Sequence, residues 1–381
     1  MSEYQYYEFL AIDRPLSEKE MGELRALSTR ARITPASFVN EYNWGDFRGD
    51  CDRLMARYFD AFVYVANWGT RRFMLRLPRR LVDLEMLRRC CAGDAMDCSL
   101  SGTSVVLSFL SECDDGSWED GEGWMQSLIP IRAAIASGDA RSLYLGWLLC
   151  AQSDQAAMRS LEPPVPPGLG NLSASLKSLA KFLWIDEDLI AMAAEGSAPE
   201  EEGLTPSEQD LRRWIPTLAE TEKDGLLART VEGQGAIVRC EMLKRFREDH
   251  ANDDEPTARK RRTVEQLLEA QQQRAERRER ELEEQKRAAR QRYLEDLADR
   301  ADEVCGEVET LIRTKQPKTY DRAVKLLKEL RDVAEHFGRT KPFEAQVRDL
   351  RRRHARKVTF IRRLTRAGLL AEEPRGSDDQ K

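Results

Sequence analysis

Eight cations within sixteen residues, and no acid among them, set apart one stretch of this sequence: Arg351, Arg352, Arg353, Arg356, Lys357, Arg362, Arg363 and Arg366. A face of that density can neutralise several phosphates and release their counterions, so its binding would weaken steeply with salt. Val358, Phe360, Ile361 and Leu364 interrupt the charges. The segment is therefore amphipathic, and it suits an acidic protein partner or an anionic membrane surface as well as nucleic acid. It also suits the chain's own carboxylates. Residues 256–370 carry 31 Lys and Arg against 20 Asp and Glu, whereas residues 1–255 carry 28 against 43. The formal charge of −6 thus conceals an acidic front of −15 and a basic stretch of +11, with −2 in the last eleven residues. Anions are expected to meet the basic pole. His354, on the apolar side of this stretch, reads as a packing residue.

A second constellation rests on a repeated tripeptide. Asn43-Trp44-Gly45 and Asn67-Trp68-Gly69 each stand at the end of a predicted strand, with Asp46, Arg48, Arg71 and Arg72 close by in sequence. Were the strands neighbours, two indoles and several guanidinium forks would share one sheet end. That set fits a planar or anionic ligand, and it is where an enzyme of nucleotide-like or phosphorylated substrates would find its site. The plainer reading is that Asn-x-Gly favours turns and the rings cover the open end of a core.

The sequence contains no Gly-rich phosphate loop, no G-x-S-x-G and no H-E-x-x-H, so it names no catalytic residue. Its eight cysteines form no C-x-x-C, and its three histidines are far apart, so no metal site and no cofactor are expected. Cys90-Cys91 closes a predicted helix instead of opening one, which denies it the thiolate-stabilising end of the dipole. The acidic run Glu112–Gly123 lacks the spacing of a calcium loop. Scattered free thiols, an N-terminus without a basic and apolar leader, and the absence of any apolar run of about 20 residues together predict a cytoplasmic protein.

These residues need elements to hold them. The patterning predicts an α+β chain, with a small ferredoxin-like α/β sandwich over 1–111, a helical domain over 124–250, a long charged helix over 257–313, a basic helical hairpin over 318–370 and a disordered tail over 371–381. In the sandwich, strands are expected at Tyr4–Ile12, Ile33–Tyr42 and Thr103–Leu110, with a hairpin through Asn67-Trp68-Gly69, and Ser17 with Glu20 is a capping box. Pro216 should kink the helix that begins at Thr205-Pro206 or break it in two. From Val264 to Tyr293 nearly every residue is Ala, Leu, Glu, Gln, Lys or Arg. A single helix of about 50 residues is expected from Thr263 to Ile312, roughly 75 Å long. Its middle seam is too polar for a tight coiled-coil partner and leaves self-association through the long helix as an open alternative, and Leu294, Leu297, Ala301, Val304, Val308 and Leu311 give its end a packing face. The hairpin pairs a helix on Tyr320, Val324, Leu327, Leu330 and Ala334, stopped by Gly338, with one running from Phe343 through Val347, Leu350, His354, Val358 and Ile361.

The run Tyr320-Asp321-Arg322-Ala323-Val324-Lys325-Leu326-Leu327, with Arg356-Lys357-Val358-Thr359-Phe360-Ile361-Arg362-Arg363-Leu364 and Ala367-Gly368-Leu369, resembles the helical tail of bacterial SWIM zinc-finger proteins. The resemblance covers about fifty residues and implies a shared docking module in a bacterial setting. That family's zinc motif, C-x-C followed by C-x-H, does not occur in this sequence, so zinc is not carried over. Taken together, the sequence predicts a non-enzymatic interaction protein with a basic C-terminal module that docks on an acidic protein partner or nucleic acid.

Overall fold

The computed structural model describes residues 4–113, 120–153, 157–199, 207–250, 261–314 and 316–370, and it divides into two compact units, Met1–Ala275 and Glu276–Lys381. The chain is α+β. The predicted tail 371–381, the Thr205-Pro206 helix start and most of the acidic run lie outside the described residues. Among those residues no helix is long and apolar enough to cross a membrane.

The first unit is organised on one antiparallel sheet. In chain order its elements are β1 (Gln5–Leu10), α1 (Glu18–Leu27), β2 (Arg32–Thr34), β3 (Ser37–Tyr42), α2 (Cys51–Arg57), β4 (Ala61–Ala66), β5 (Thr70–Pro78), α3 (Leu84–Cys90), β6 (Met96–Ser101) and β7 (Ser104–Glu112). The seven strands lie in the order β2-β3-β1-β4-β5-β7-β6. Patterning alone predicts five. Ile33–Tyr42 turns at Pro35-Ala36 and supplies two of them, and Met96–Ser101 reads as polar because it is an edge strand. With seven strands the sheet departs from the four of a ferredoxin-like sandwich.

Strand alternation assigns each side chain to one of two cores. Ala61, Val63 and Val65 of β4 and Phe73, Leu75 and Leu77 of β5 face one core, whereas Phe62 and Met74 face the other. The second core is aromatic: Phe9 stacks on Phe62 at 4.2 Å, and Leu24 of α1 with Leu54 and Met55 of α2 close it. As predicted, Ser17 and Glu20 form a capping box on α1.

Helices cover the first core: α4 (Trp124–Leu128), α5 (Pro130–Ala136), α6 (Arg141–Gln152), α7 (Ala174–Phe182) and α8 (Glu187–Glu195). Helix α6 is buried on almost every side, and Gly146 allows it to seat on the sheet, since a Cβ there would stand 2.4 Å from Met96 Sδ and 2.7 Å from Phe109. A smaller cluster of Trp214, Leu218 and Phe246 joins α9 (Glu208–Trp214), α10 (Glu220–Arg229) and α11 (Gly235–His250). Pro216 sits in a 3-10 turn between α9 and α10, the break its missing N–H dictates. Ser207 caps α9 in a box with Asp210, its oxygen reaching the amide of the third helical residue.

Helix α12 (Val264–Asp299) starts under a buried clamp. Glu162, 2% exposed, accepts from Arg262 Nε at 3.0 Å and Nη2 at 2.8 Å, and from the Tyr144 hydroxyl. Arg262 also donates to the Met192 carbonyl at 2.6 Å. The backbone follows: Glu162 N bonds Arg262 O at 2.9 Å and Val264 N bonds Ser160 O at 3.1 Å, which satisfies an N–H that helix geometry leaves without an internal partner. Burial and the adjacent carboxylate push the Tyr144 hydroxyl far above its ordinary pKa, so it remains a donor.

The second unit holds the end of α12, α13 (Ala301–Arg313), α14 (Pro317–His336), α15 (Thr340–Arg353) and α16 (Val358–Arg366). Here two expectations fail. The long helix is not single: Arg300, at φ −104° and ψ 14°, interrupts it, and Ile312 instead of Leu311 becomes fully buried. Leu294 and Leu297 before the break and Val304, Val308 and Ile312 after it enter one core; Ile312 lies five whole turns after Leu294 and so shares its face. The second hairpin helix is also divided, by a turn at His354–Lys357. Phe360 lies ten residues after Leu350, about 80° off the same face of a continuous helix. The break lets Phe360 reach the core beside Leu364, both fully buried, and it leaves Val358 64% exposed. Gly338, at φ +66°, ends α14 as predicted.

Candidate anion-binding groove

The eight predicted cations divide by what they touch. Arg353 pairs with Glu309 and, at 2.9 Å, with Asp349; His354 Nε2 stands 3.1 Å from Glu309. Lys357 Nζ donates to the Ile312 carbonyl at 2.6 Å, capping the C-terminal end of α13, and Arg363 Nε donates to Asp321 at 2.7 Å. These four side chains bind the module together, and His354 is more than the packing residue its position suggested. Arg351 is half-buried, and Arg352 makes only an exposed contact of 3.6 Å with Asp349. Arg356, Arg362 and Arg366 are exposed, and among the described residues no carboxylate lies within ion-pair distance of them.

Two of those three line a groove. A cavity of about 550 Å³ opens between α14, through Asp321, Val324 and Lys328, and α16, through Thr359, Arg362, Arg363, Arg366 and Ala367. The contacts of α14 explain how it forms. Ala323 and Leu327 enter the core, which leaves Asp321, Val324 and Lys328 on the adjoining face, while Phe360 and Leu364 pin α16 beside it. Asp321 is engaged by Arg363, so among the described residues Lys328, Arg362 and Arg366 contribute three positive charges with no ion-pair partner. Sequence reading missed Lys328. Its signal was present in the spacing of 321, 324 and 328, which is one helix face.

The Trp44 and Trp68 constellation is only partly assembled. Strand β1 pairs with both β3 and β4, so both turns lie at the same end of the sheet, where Gln5 donates to Gly45 O at 3.2 Å and to Asp46 at 2.8 Å, and Asn67 accepts from Tyr4 N at 3.0 Å. The indoles themselves are 70% and 44% exposed, and Arg48 is exposed. Arg71 and Arg72 leave β5 on opposite faces. Arg71, 4% exposed, lies 3.7 Å over the Trp184 ring and near Trp124 and Phe182; Arg72 binds Asp52 through both nitrogens and Ser108 through Nε. The two guanidiniums therefore cannot serve one pocket. Compared with protein-family models, curated proteins and solved structures, the chain matches none.

Other chemistry has less support. Burial pushes the Cys51 and Cys90 thiols up to about 12, the opposite of nucleophile activation. Among the described residues no group of three or more His, Cys, Asp or Glu is placed to hold a metal ion. A cavity of about 500 Å³ in the first unit is lined by α3, the turn before α6 and Pro164–Pro167, but its charges are engaged locally: Arg141 grips both oxygens of Asp139, Arg89 meets Glu85, and Asp83 caps α3.

Proposed function

We propose that this chain is a cytoplasmic, non-enzymatic interaction protein whose C-terminal helical module docks an anionic partner, an acidic protein surface or nucleic acid, in the groove between α14 and α16. The observation that carries the reading is the charge left over after pairing among the described residues: Lys328, Arg362 and Arg366 line a groove whose one carboxylate among those residues, on Asp321, is already bound by Arg363. The resemblance of this module to the helical tail of bacterial SWIM zinc-finger proteins supports a docking role.

The test is retention of the full chain on an immobilised polyanion such as heparin. Arg362→Ala with Arg366→Ala should elute at clearly lower salt than wild type, while Arg48→Ala with Arg72→Ala should not. Equal elution of wild type and the Arg362 and Arg366 variant would remove the groove from the reading.

A further inference from the structure

We infer that the anion held in this groove is the phosphodiester backbone of duplex nucleic acid. The inference rests on the docking role proposed above and names its partner. Arg362 and Arg366 are four apart on α16, so their stems start about 5–6 Å from each other and their forks can hold separate charges along one rail. Lys328 faces them from α14. Guanidinium forks match phosphate oxygens in pairs, and an ammonium adds a point charge.

What the groove lacks selects among polyanions. Its apolar lining is Val324 and Ala367, both half-buried, with no aromatic side chain. Protein partners draw most of their binding energy from aromatic or aliphatic anchors seated in desolvated pockets, and these two side chains offer no such seat. Single strands are held by stacking bases on aromatic rings, and the lining has none. Duplex phosphates need neither, because their binding is charge neutralisation with release of counterions.

The test compares three fluorescein-labelled probes against the full chain by anisotropy: a short duplex DNA, oligo-dT of the same length, and polyglutamate. With three phosphates engaged, duplex affinity should fall about 40-fold between 50 and 200 mM salt. Arg362→Ala with Arg366→Ala should reduce that to about 4-fold without changing the melting temperature. Polyglutamate bound as tightly as duplex would overturn the inference while leaving the docking function standing, and so would oligo-dT bound as tightly. An unchanged salt slope in the variant would overturn it as well. If none of the probes binds at 50 mM salt, the docking function fails with it.

Discussion

Glu162→Gln should cost the first unit about 3 kcal/mol, a loss that follows from the clamp under α12. The glutamate is 2% exposed and accepts three hydrogen bonds, two from Arg262 and one from Tyr144. Gln keeps the volume and an acceptor for Tyr144, but it removes the charge opposite a guanidinium whose side chain is only 24% exposed. Breaking a buried ion pair from one side costs about 3–5 kcal/mol. The lower end applies here because Arg262 retains the Met192 carbonyl at 2.6 Å and some solvent. For a unit of this size the loss corresponds to a melting temperature lower by roughly 6–12 °C. Circular dichroism melts would read it. Replacing both partners, as Glu162→Leu with Arg262→Met, should recover part of the loss, because no buried charge is then left alone. A single Gln variant melting within about 2 °C of wild type would refute the claim that this charge pair holds the start of α12.

Three further outcomes are expected. Gly146→Ala drives a Cβ to 2.4 Å from Met96 Sδ and should destabilise the first unit by about 1–3 kcal/mol, read by urea titration. Burial raises the Glu8 carboxyl pKa, so the folded state holds that proton more tightly than the unfolded one; stability falls as pH rises from the ordinary carboxylate range through the raised value, and the cost persists above it. Glu8→Gln should therefore melt higher than wild type near pH 7 and lose that advantage near pH 4, and equal gains at both would refute the assignment. Leu282, 49% exposed in the charged middle of α12, should accept Glu without change of solution mass in light scattering; a wild-type oligomer that Leu282→Glu dissolves would show that the helix self-associates.

Local rules made much of the fold legible. Capping residues, the Pro216 break, Gly338 and the strand alternation of β4 and β5 are short-range effects, and the chain follows them. The misses are tertiary. Met96–Ser101 looks polar because one side of an edge strand is wet, and its pairing with β7 shows only in the sheet. The breaks at Arg300 and at His354–Lys357 contain no Pro or Gly; the second brings Phe360 into a core that a continuous helix would hold it about 80° away from, whereas nothing in the packing around Arg300 accounts for the first. For the groove, counting cations located α16 but could not separate Arg353, Lys357 and Arg363, which brace the module, from Arg362 and Arg366, which face outward. That separation depends on Glu309, Asp321 and the Ile312 carbonyl, each some 40 residues away in the chain.

Trp184 adopts φ 52°, a left-handed conformation that favours glycine, and it carries the ring beneath Arg71. The two demands oppose each other. A mutation to Gly relaxes the backbone and removes the platform of a buried cation, whereas a mutation to another large residue keeps a surface but retains the strain. The route to a relaxed backbone therefore has an order: Arg71 must first give way to an apolar side chain, after which Gly at 184 becomes neutral or better. Lineages descending from this sequence should carry the pair together or lose it in that sequence of steps, a small case of historical contingency written into one turn between α7 and α8.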